Sequence, residues 1–171
     1  IIKVTMLLTF TLMLGMASVA KTMVIALIGE QWLPCVPFLQ IICLQMMLYP
    51  LHSLNLNMLQ VQGRSDLFLK LEIIKKIIAL GPLFIGAFVG IMPMLYTNLL
   101  TGIICYFLNS YYTGKFLNYS SWMQIKDVAP SYGVATLVAV SIYFLKYLPI
   151  SNWMILPIQL VLGFFILIAV C

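Results

Sequence analysis

The sequence predicts an all-α protein, a polytopic membrane bundle of about six transmembrane helices. Hydrophobic residues make up 64% of the 171 residues and charged residues 8%, and the mean hydropathy is +1.12. Soluble domains carry ~45–50% apolar and ~25% charged residues. The apolar runs are continuous over about 20 residues, the length of helix that crosses a bilayer. This composition excludes soluble enzymes, nucleic-acid-binding modules and secreted disulfide scaffolds.

The apolar runs divide the chain into six predicted spans within a single transmembrane domain. They cover residues 4–27, 38–59, 73–90, 94–112, 128–147 and 153–171. The third and fourth spans require a turn, because residues 77–112 carry no charge and one helix of that length would reach ~54 Å. We predict the turn at residues 90–93, since Pro93 both ends one helix and suits the first turn of the next.

The distribution of basic residues predicts which side of the membrane each loop faces. Lys21 and Lys146 lie near one set of span ends, and seven basic residues lie near the other: Lys3, Arg64, Lys70, Lys75, Lys76, Lys115 and Lys126. Basic residues concentrate on the cytoplasmic side of membrane proteins. We therefore expect both ends of this chain to be cytoplasmic.

The second predicted span carries a polar stripe. Gln45, Tyr49, His52 and Asn55 recur at intervals of four, three and three residues, which places them on one helical face. The stripe predicts either the wall of a hydrated cavity, which we favour, or hydrogen bonds between helices. Asn98 in the fourth span is a further cavity candidate.

Two prolines are predicted hinges, because proline removes a helical hydrogen bond and bends the helix. Pro50 lies in the middle of the second span and Pro82 in the third, where it follows Gly81. Gly86 and Gly90 form a small-residue pattern typical of close helix packing.

A basic segment that runs from the connection between the second and third spans into the start of the third span is the candidate contact for phosphate or lipid headgroups. It contains Arg64, Lys70, Lys75 and Lys76. Arginine binds phosphate in a bidentate manner and lysine binds it as a point charge, but the same residues also suit simple anchoring to anionic lipid. The sequence contains neither a catalytic constellation nor a metal-ligand spacing, so we expect no enzyme activity, no metal and no cofactor.

Several segments carry a resemblance to a known family. They are residues 27–34 (LIGEQWLP), 60–67 (QVQGRSDL), 71–76 (LEIIKK) and 109–115 (NSYYTGK). Across about residues 27–130 the chain resembles the bacterial polysaccharide-repeat flippases that handle O-antigen, lipopolysaccharide or capsule units. These proteins belong to the multidrug/oligosaccharidyl-lipid/polysaccharide exporter superfamily.

The resemblance implies a part of a two-lobe exporter fold in the bacterial cytoplasmic (inner) membrane. It implies a transporter that flips lipid-linked oligosaccharide of the undecaprenyl pyrophosphate type by alternating access. The partners that it implies are membrane lipids and a preceding N-terminal part of the same protein. It implies no nucleic-acid partner. A multidrug or other small-molecule exporter of that superfamily, or a scaffold subunit without transport activity, are the alternatives.

Overall fold

The computed structural model describes residues 2–117 and 119–144. Within those ranges the chain is helical apart from short connections and contains no strand, which confirms the all-α prediction. A short 3-10 helix covers Glu30–Cys35. The six α-helices are α1 (Ile2–Leu27), α2 (Val36–Met46), α3 (Tyr49–Val61), α4 (Ser65–Phe88), α5 (Ile91–Leu117) and α6 (Ser121–Phe144).

Four helical stretches in the described part of the chain are long and apolar enough to cross a membrane. They are Ile2–Leu27, Glu30–Val61, Ile91–Lys115 and Ser121–Phe144. They correspond to the first, second, fourth and fifth predicted spans. The third predicted span lies in α4, which has sufficient length but carries Glu72, Lys75 and Lys76 in its first half. The span at 153–171, and residues 145–147 of the fifth span, lie outside the described residues, so the count of six stays a prediction.

The helices extend beyond the predicted spans on the side that carries most of the basic residues. α4 begins at Ser65 rather than near residue 73, α5 continues to Leu117, and α6 begins at Ser121 rather than near residue 128. The long connections expected there are therefore mostly helical. A span predicted from hydropathy ends at the first polar residues, whereas the helix itself continues as long as its backbone hydrogen bonds do.

Glycines with positive φ form two of the tight connections. Gly63, with φ 71°, follows α3, and the amide of Arg64 donates to the Leu59 carbonyl at 3.0 Å. This is a Schellman motif, which satisfies carbonyl groups at a helix C-terminus. Gly90, with φ 124°, separates α4 from α5, and Pro93 follows in the first turn of α5. The reversal predicted at residues 90–93 is confirmed at Gly90, whereas residues 91–93 already belong to α5.

The second predicted span is interrupted just before Pro50. α2 ends at Met46 and α3 begins at Tyr49. Pro50 has no amide hydrogen to donate to the carbonyl of Met46, four residues earlier. Leu48 retains helical backbone angles, and its amide lies 3.4 Å from the Gln45 carbonyl. The break is thus a short loss of helical hydrogen bonding. α4, in contrast, is continuous through Pro82.

Two long helices organise the packing. α1 packs along α6 and against α2, while α5 packs against α4, α3 and α2. The largest cluster of buried apolar side chains joins α1, the α2–α3 region, α5 and α6, and contains Met6, Phe10, Met47, Leu51, Tyr106, Val128 and Ala135. Many large apolar side chains nonetheless point outward, among them Phe88, Leu137 and Val61. Such an apolar exterior is typical of helices in lipid.

Candidate functional site: a buried polar cluster

The predicted polar stripe is divided between two helices. Gln45 lies in α2 and is half-buried, and Tyr49 begins α3 with 65% of its surface exposed. His52 and Asn55 lie further along α3 and turn inward, where they contact polar residues of α5 and α6. The inner half of the stripe therefore belongs to a polar cluster between helices, which we define by His52, Asn55, Tyr106, Asn109, Thr113 and Gln124.

A reciprocal pair of amides lies at the centre of the polar cluster. The Asn55 Nδ2 atom donates to Gln124 Oε1 at 3.0 Å, and Gln124 Nε2 donates to Asn55 Oδ1 at 3.0 Å. Asn55 is 4% exposed and Gln124 1% exposed. Because buried amides without partners are costly, this pairing lets both side chains remain in the interior of an apolar bundle.

Thr113 of α5 secures the backbone of α3 at the same level. Its hydroxyl lies 3.2 Å from the Asn55 carbonyl and 3.1 Å from the Asn109 carbonyl, and it is buried. Tyr106 lies about two turns before Thr113 on the same face of α5 and makes longer contacts, with its hydroxyl 3.5 Å from Gln124 Oε1 and 3.4 Å from the Ser121 carbonyl. The polar cluster thus joins α3, α5 and α6.

His52 completes the polar cluster at the end nearest the break. Its Nδ1 atom lies 3.2 Å from the Nδ2 atom of Asn109, so Nδ1 accepts and the proton of a neutral ring lies on Nε2. The imidazole packs edge-on against Tyr106, with ring centroids 6.2 Å apart. The Oδ1 atom of Asn109 is buried without a hydrogen-bond partner in the described part of the structure.

Asn98 is separate from the polar cluster. It is half-buried in α5, eleven residues before Asn109, a distance of about 16 Å along a helix. The structure therefore brings together only His52 and Asn55 among the five cavity candidates. A cavity role for Gln45, Tyr49, His52, Asn55 and Asn98 stays a prediction.

The four basic candidates differ in their surroundings. Lys75 pairs with Glu72 one turn earlier in α4, and its side chain is 16% exposed. Arg64 lies 3.6 Å from Asp66 and is exposed. Lys70 and Lys76 are exposed, and the described residues provide no ion-pair partner for either. Lys70 and Lys76 are consequently the two most available for an anionic headgroup.

A second polar contact ties the start of α1 to α6. Asp127 accepts a hydrogen bond from the Tyr119 hydroxyl at 2.8 Å and lies 3.4 Å from Lys3 Nζ. Burial of Tyr119, together with the adjacent Asp127 carboxylate, raises the pKa of its phenol to about 12. The phenol therefore stays neutral and keeps donating to Asp127 at physiological pH.

An open cleft of about 370 Å³ lies between the ends of α5 and α6. Its lining contains Ser110, Tyr111, Gly114, Lys115, Ser120 and Ser121. Gly114 permits this arrangement, because a β-carbon there would lie 3.3 Å from the Ser120 Cα. None of the five cavity candidates is among these lining residues.

Sequence reasoning missed Gln124 and Thr113 as members of the polar cluster. The predicted fifth span begins at residue 128 and the predicted fourth span ends at residue 112, so Gln124 and Thr113 both fall in the connection between them. A helical reading of the segment from Ser121 onward would have placed Gln124 on the same face as Val128, inside the bundle.

The polar cluster contains neutral hydrogen-bonding groups, and the described residues contain no group of three or more histidine, cysteine, aspartate or glutamate side chains suited to a metal ion. Such groups can exchange hydrogen bonds with one another, with water or with hydroxylated ligands. The polar cluster is therefore suited to binding or to conformational coupling.

Comparison with known proteins yields one short similarity. The chain is 35% identical over 65 residues to the teichuronic acid biosynthesis protein TuaB of Bacillus subtilis (strain 168). The match covers 38% of this chain and 14% of that protein. No family model matches the chain, and no solved structure matches it. The apolar helices and this similarity together indicate a membrane protein.

Proposed function

We propose that this chain is part of a flippase that moves lipid-linked oligosaccharide or polysaccharide repeat units across the bacterial cytoplasmic membrane by alternating access. The observation that carries the proposal is the similarity to TuaB, whose name connects that protein with teichuronic acid biosynthesis, a polysaccharide-related process. That similarity agrees with the polysaccharide part of the family resemblance.

The helical architecture supports transport. Four apolar helical stretches provide a lipid-facing exterior, and the polar cluster lies inside. Polar side chains within membrane helices are concentrated where substrates or moving interfaces require them. Neutral amides and hydroxyls, such as those of Asn55, Gln124 and Thr113, can both donate hydrogen bonds to saccharide hydroxyls and accept them.

The proposed orientation follows from the basic residues. Lys3 pairs with Asp127, which follows Lys126, so the N-terminal end of α1 and the start of α6 lie at the same end of the bundle. We place this end in the cytoplasm, where Lys70 and Lys76 would contact the phosphates of lipids or of a pyrophosphate-linked cargo. A reporter that is active only in the cytoplasm should then be active when it is fused to either end of this chain.

Leaflet-specific detection of lipid-linked saccharide tests the proposal. The gene is deleted in its own host and restored at its chromosomal position. Spheroplasts are then treated with a membrane-impermeant oxidant of glycans. We expect lipid-linked saccharide to accumulate in a protected form in the deletion strain and to become accessible on complementation.

Two other results would contradict the proposal. If the lipid-linked saccharide is equally accessible to the oxidant in both strains and deletion abolishes dye efflux, the protein is a small-molecule exporter. Equal accessibility with unchanged efflux, but loss of a partner protein from the membrane, would identify a scaffold subunit.

A further inference from the structure

We propose that the Asn55–Gln124 amide pair is a releasable latch that holds α3 on α6, and that α3 moves about the break at Met47 and Leu48 when the pair separates. This inference rests on the helix contacts alone and is independent of the cargo.

The first support is the way in which α3 and α6 are joined. The backbone of α3 packs mainly against α5, and less against α1 and α4, whereas α6 packs along α1. α3 and α6 have little direct backbone packing. The two side chains, with their two hydrogen bonds of 3.0 Å, thus form the main connection between these helices.

The second support is the weak connection between α2 and α3. Pro50 cannot donate to the Met46 carbonyl, and the nearest compensating contact, Leu48 to Gln45, is long at 3.4 Å. α2 itself is held on α1, where Gln40 Nε2 donates to the Ala17 carbonyl at 3.1 Å. Because α2 is fixed and the junction is weak, a displacement of α3 is most easily absorbed at the break.

The third support is that release leaves Gln124 with another partner. Its Nε2 atom also lies 3.4 Å from the Tyr119 carbonyl. One net hydrogen bond shifts an equilibrium by about two- to tenfold. Two such bonds favour the contact between α3 and α6 by a factor of roughly four to one hundred, so an arrangement without this contact is a minor state within reach.

Distance measurements between spin labels test the latch. The full protein from its natural gene is placed in lipid nanodiscs, with its native cysteines replaced by alanine. One label pair joins Gln60 on α3 to Lys126 on α6, both exposed. A control pair joins Leu12 on α1 to Leu137 on α6, two exposed positions on helices that pack along one another.

We expect Asn55→Ala to move about tenfold more of the α3–α6 population to a second distance and to leave the control pair unchanged. Gln124→Ala removes the same pair from the other helix and must give the same shift, while Asn57→Ala, at an exposed position two residues further on, must give none. An unchanged α3–α6 distribution in both variants would overturn the latch. Equal broadening of both label pairs would also overturn it, because it would show general loosening.

Discussion

Gly86 of α4 lies so close to Met94 of α5 that a β-carbon on the glycine would approach the methionine sulfur to 2.5 Å. The two helices are joined by a tight turn at Gly90, so this contact fixes how closely they pack as they leave it. The small residue predicted to permit close helix packing does so at position 86, whereas Gly90 supplies the backbone conformation of the turn.

Gly86→Leu should destabilise the protein through overpacking, at a cost of about 1–3 kcal/mol. Thermal unfolding in detergent measures the effect, with Gly102→Leu as the matched control because a β-carbon at Gly102 meets nothing within 4 Å. Adding Met94→Ala to the Gly86 variant should recover much of the loss. Equal destabilisation at positions 86 and 102 would contradict the packing role.

The Asn55–Gln124 pair should show strong energetic coupling. Asn55→Leu alone leaves the buried Gln124 amide with fewer hydrogen-bond partners, which should lower the free energy of unfolding by about 1–3 kcal/mol. The double variant Asn55→Leu/Gln124→Leu should cost clearly less than the two single changes together. Denaturation of the four proteins gives the coupling free energy, and strict additivity would show that the two amides do not act as a pair.

Cysteine substitution should distinguish the exposed end of α3 from its buried middle. Tyr49→Cys should react rapidly with a charged thiol reagent, whereas Asn55→Cys should be protected, since these positions are 65% and 4% exposed. Protection at both positions would place the beginning of α3 in lipid and remove the hydrated wall predicted there. Equally fast reaction at both would contradict the burial of Asn55.

Lys70 and Lys76 should contribute to binding of anionic lipid more than Lys75 does. Each exposed lysine near an anionic surface adds about 1 kcal/mol. Lys70→Gln and Lys76→Gln should therefore each lower retention of an anionic lipid about fivefold in native mass spectrometry. Lys75→Gln should leave retention nearly unchanged and lower the melting temperature, because Glu72 loses its partner. Equal loss of lipid in all three variants would contradict this distinction.

The Tyr119–Asp127 hydrogen bond should stabilise the protein only below strongly alkaline pH. The pKa of Tyr119 is raised from its ordinary value near 10 to about 12, so the folded protein holds this proton more tightly than the unfolded chain does. The resulting stability is complete below pH 10 and is lost as the pH rises from about 10 to about 12.

Melting temperatures of wild type and Tyr119→Phe across this range provide the test. The difference between them should be constant at neutral pH and should shrink above pH 10. A difference that does not depend on pH up to pH 12 would show that the phenol is not the group responsible.

Hydrophobic patterning was sufficient to predict an all-helical chain, its first, second, fourth and fifth apolar stretches and the reversal at Gly90, because lipid requires long apolar segments and glycine with proline marks where they reverse. It was insufficient for the partners of the polar stripe. Asn55 could be placed on an inward face from its spacing, but Gln124 is reached only when α6 is known to begin at Ser121 and to lie near α3. Contacts between helices that lie far apart in the sequence produce no periodic pattern of residues from which they could be predicted.

The basic segment illustrates the same limit. The predicted third span begins at residue 73, so it leaves Lys70 in the preceding connection, whereas the structure places Lys70, Lys75 and Lys76 on one helix, α4. On a helix, Lys75 and Lys76 follow Glu72 by three and four residues, so both lie within reach of its carboxylate, and the structure pairs Glu72 with Lys75. The difference in availability between Lys75 and Lys76 follows from which of the two side chains contacts Glu72, and the sequence does not reveal that choice.

Glu72 and Lys75 carry opposite charges within one turn of α4, so that turn is electrically neutral as a unit. Moving one elementary charge across a membrane potential of 100 mV changes the free energy by about 2.3 kcal/mol. Moving a neutral pair together changes it by almost nothing, because the two contributions cancel. If α4 shifts along the bilayer normal, the Glu72–Lys75 pair therefore does not make that shift depend on the membrane potential. Any sensitivity of α4 to the transmembrane potential would have to come from its other charged side chains, among which Lys76 lies nearest to the apolar half of the helix.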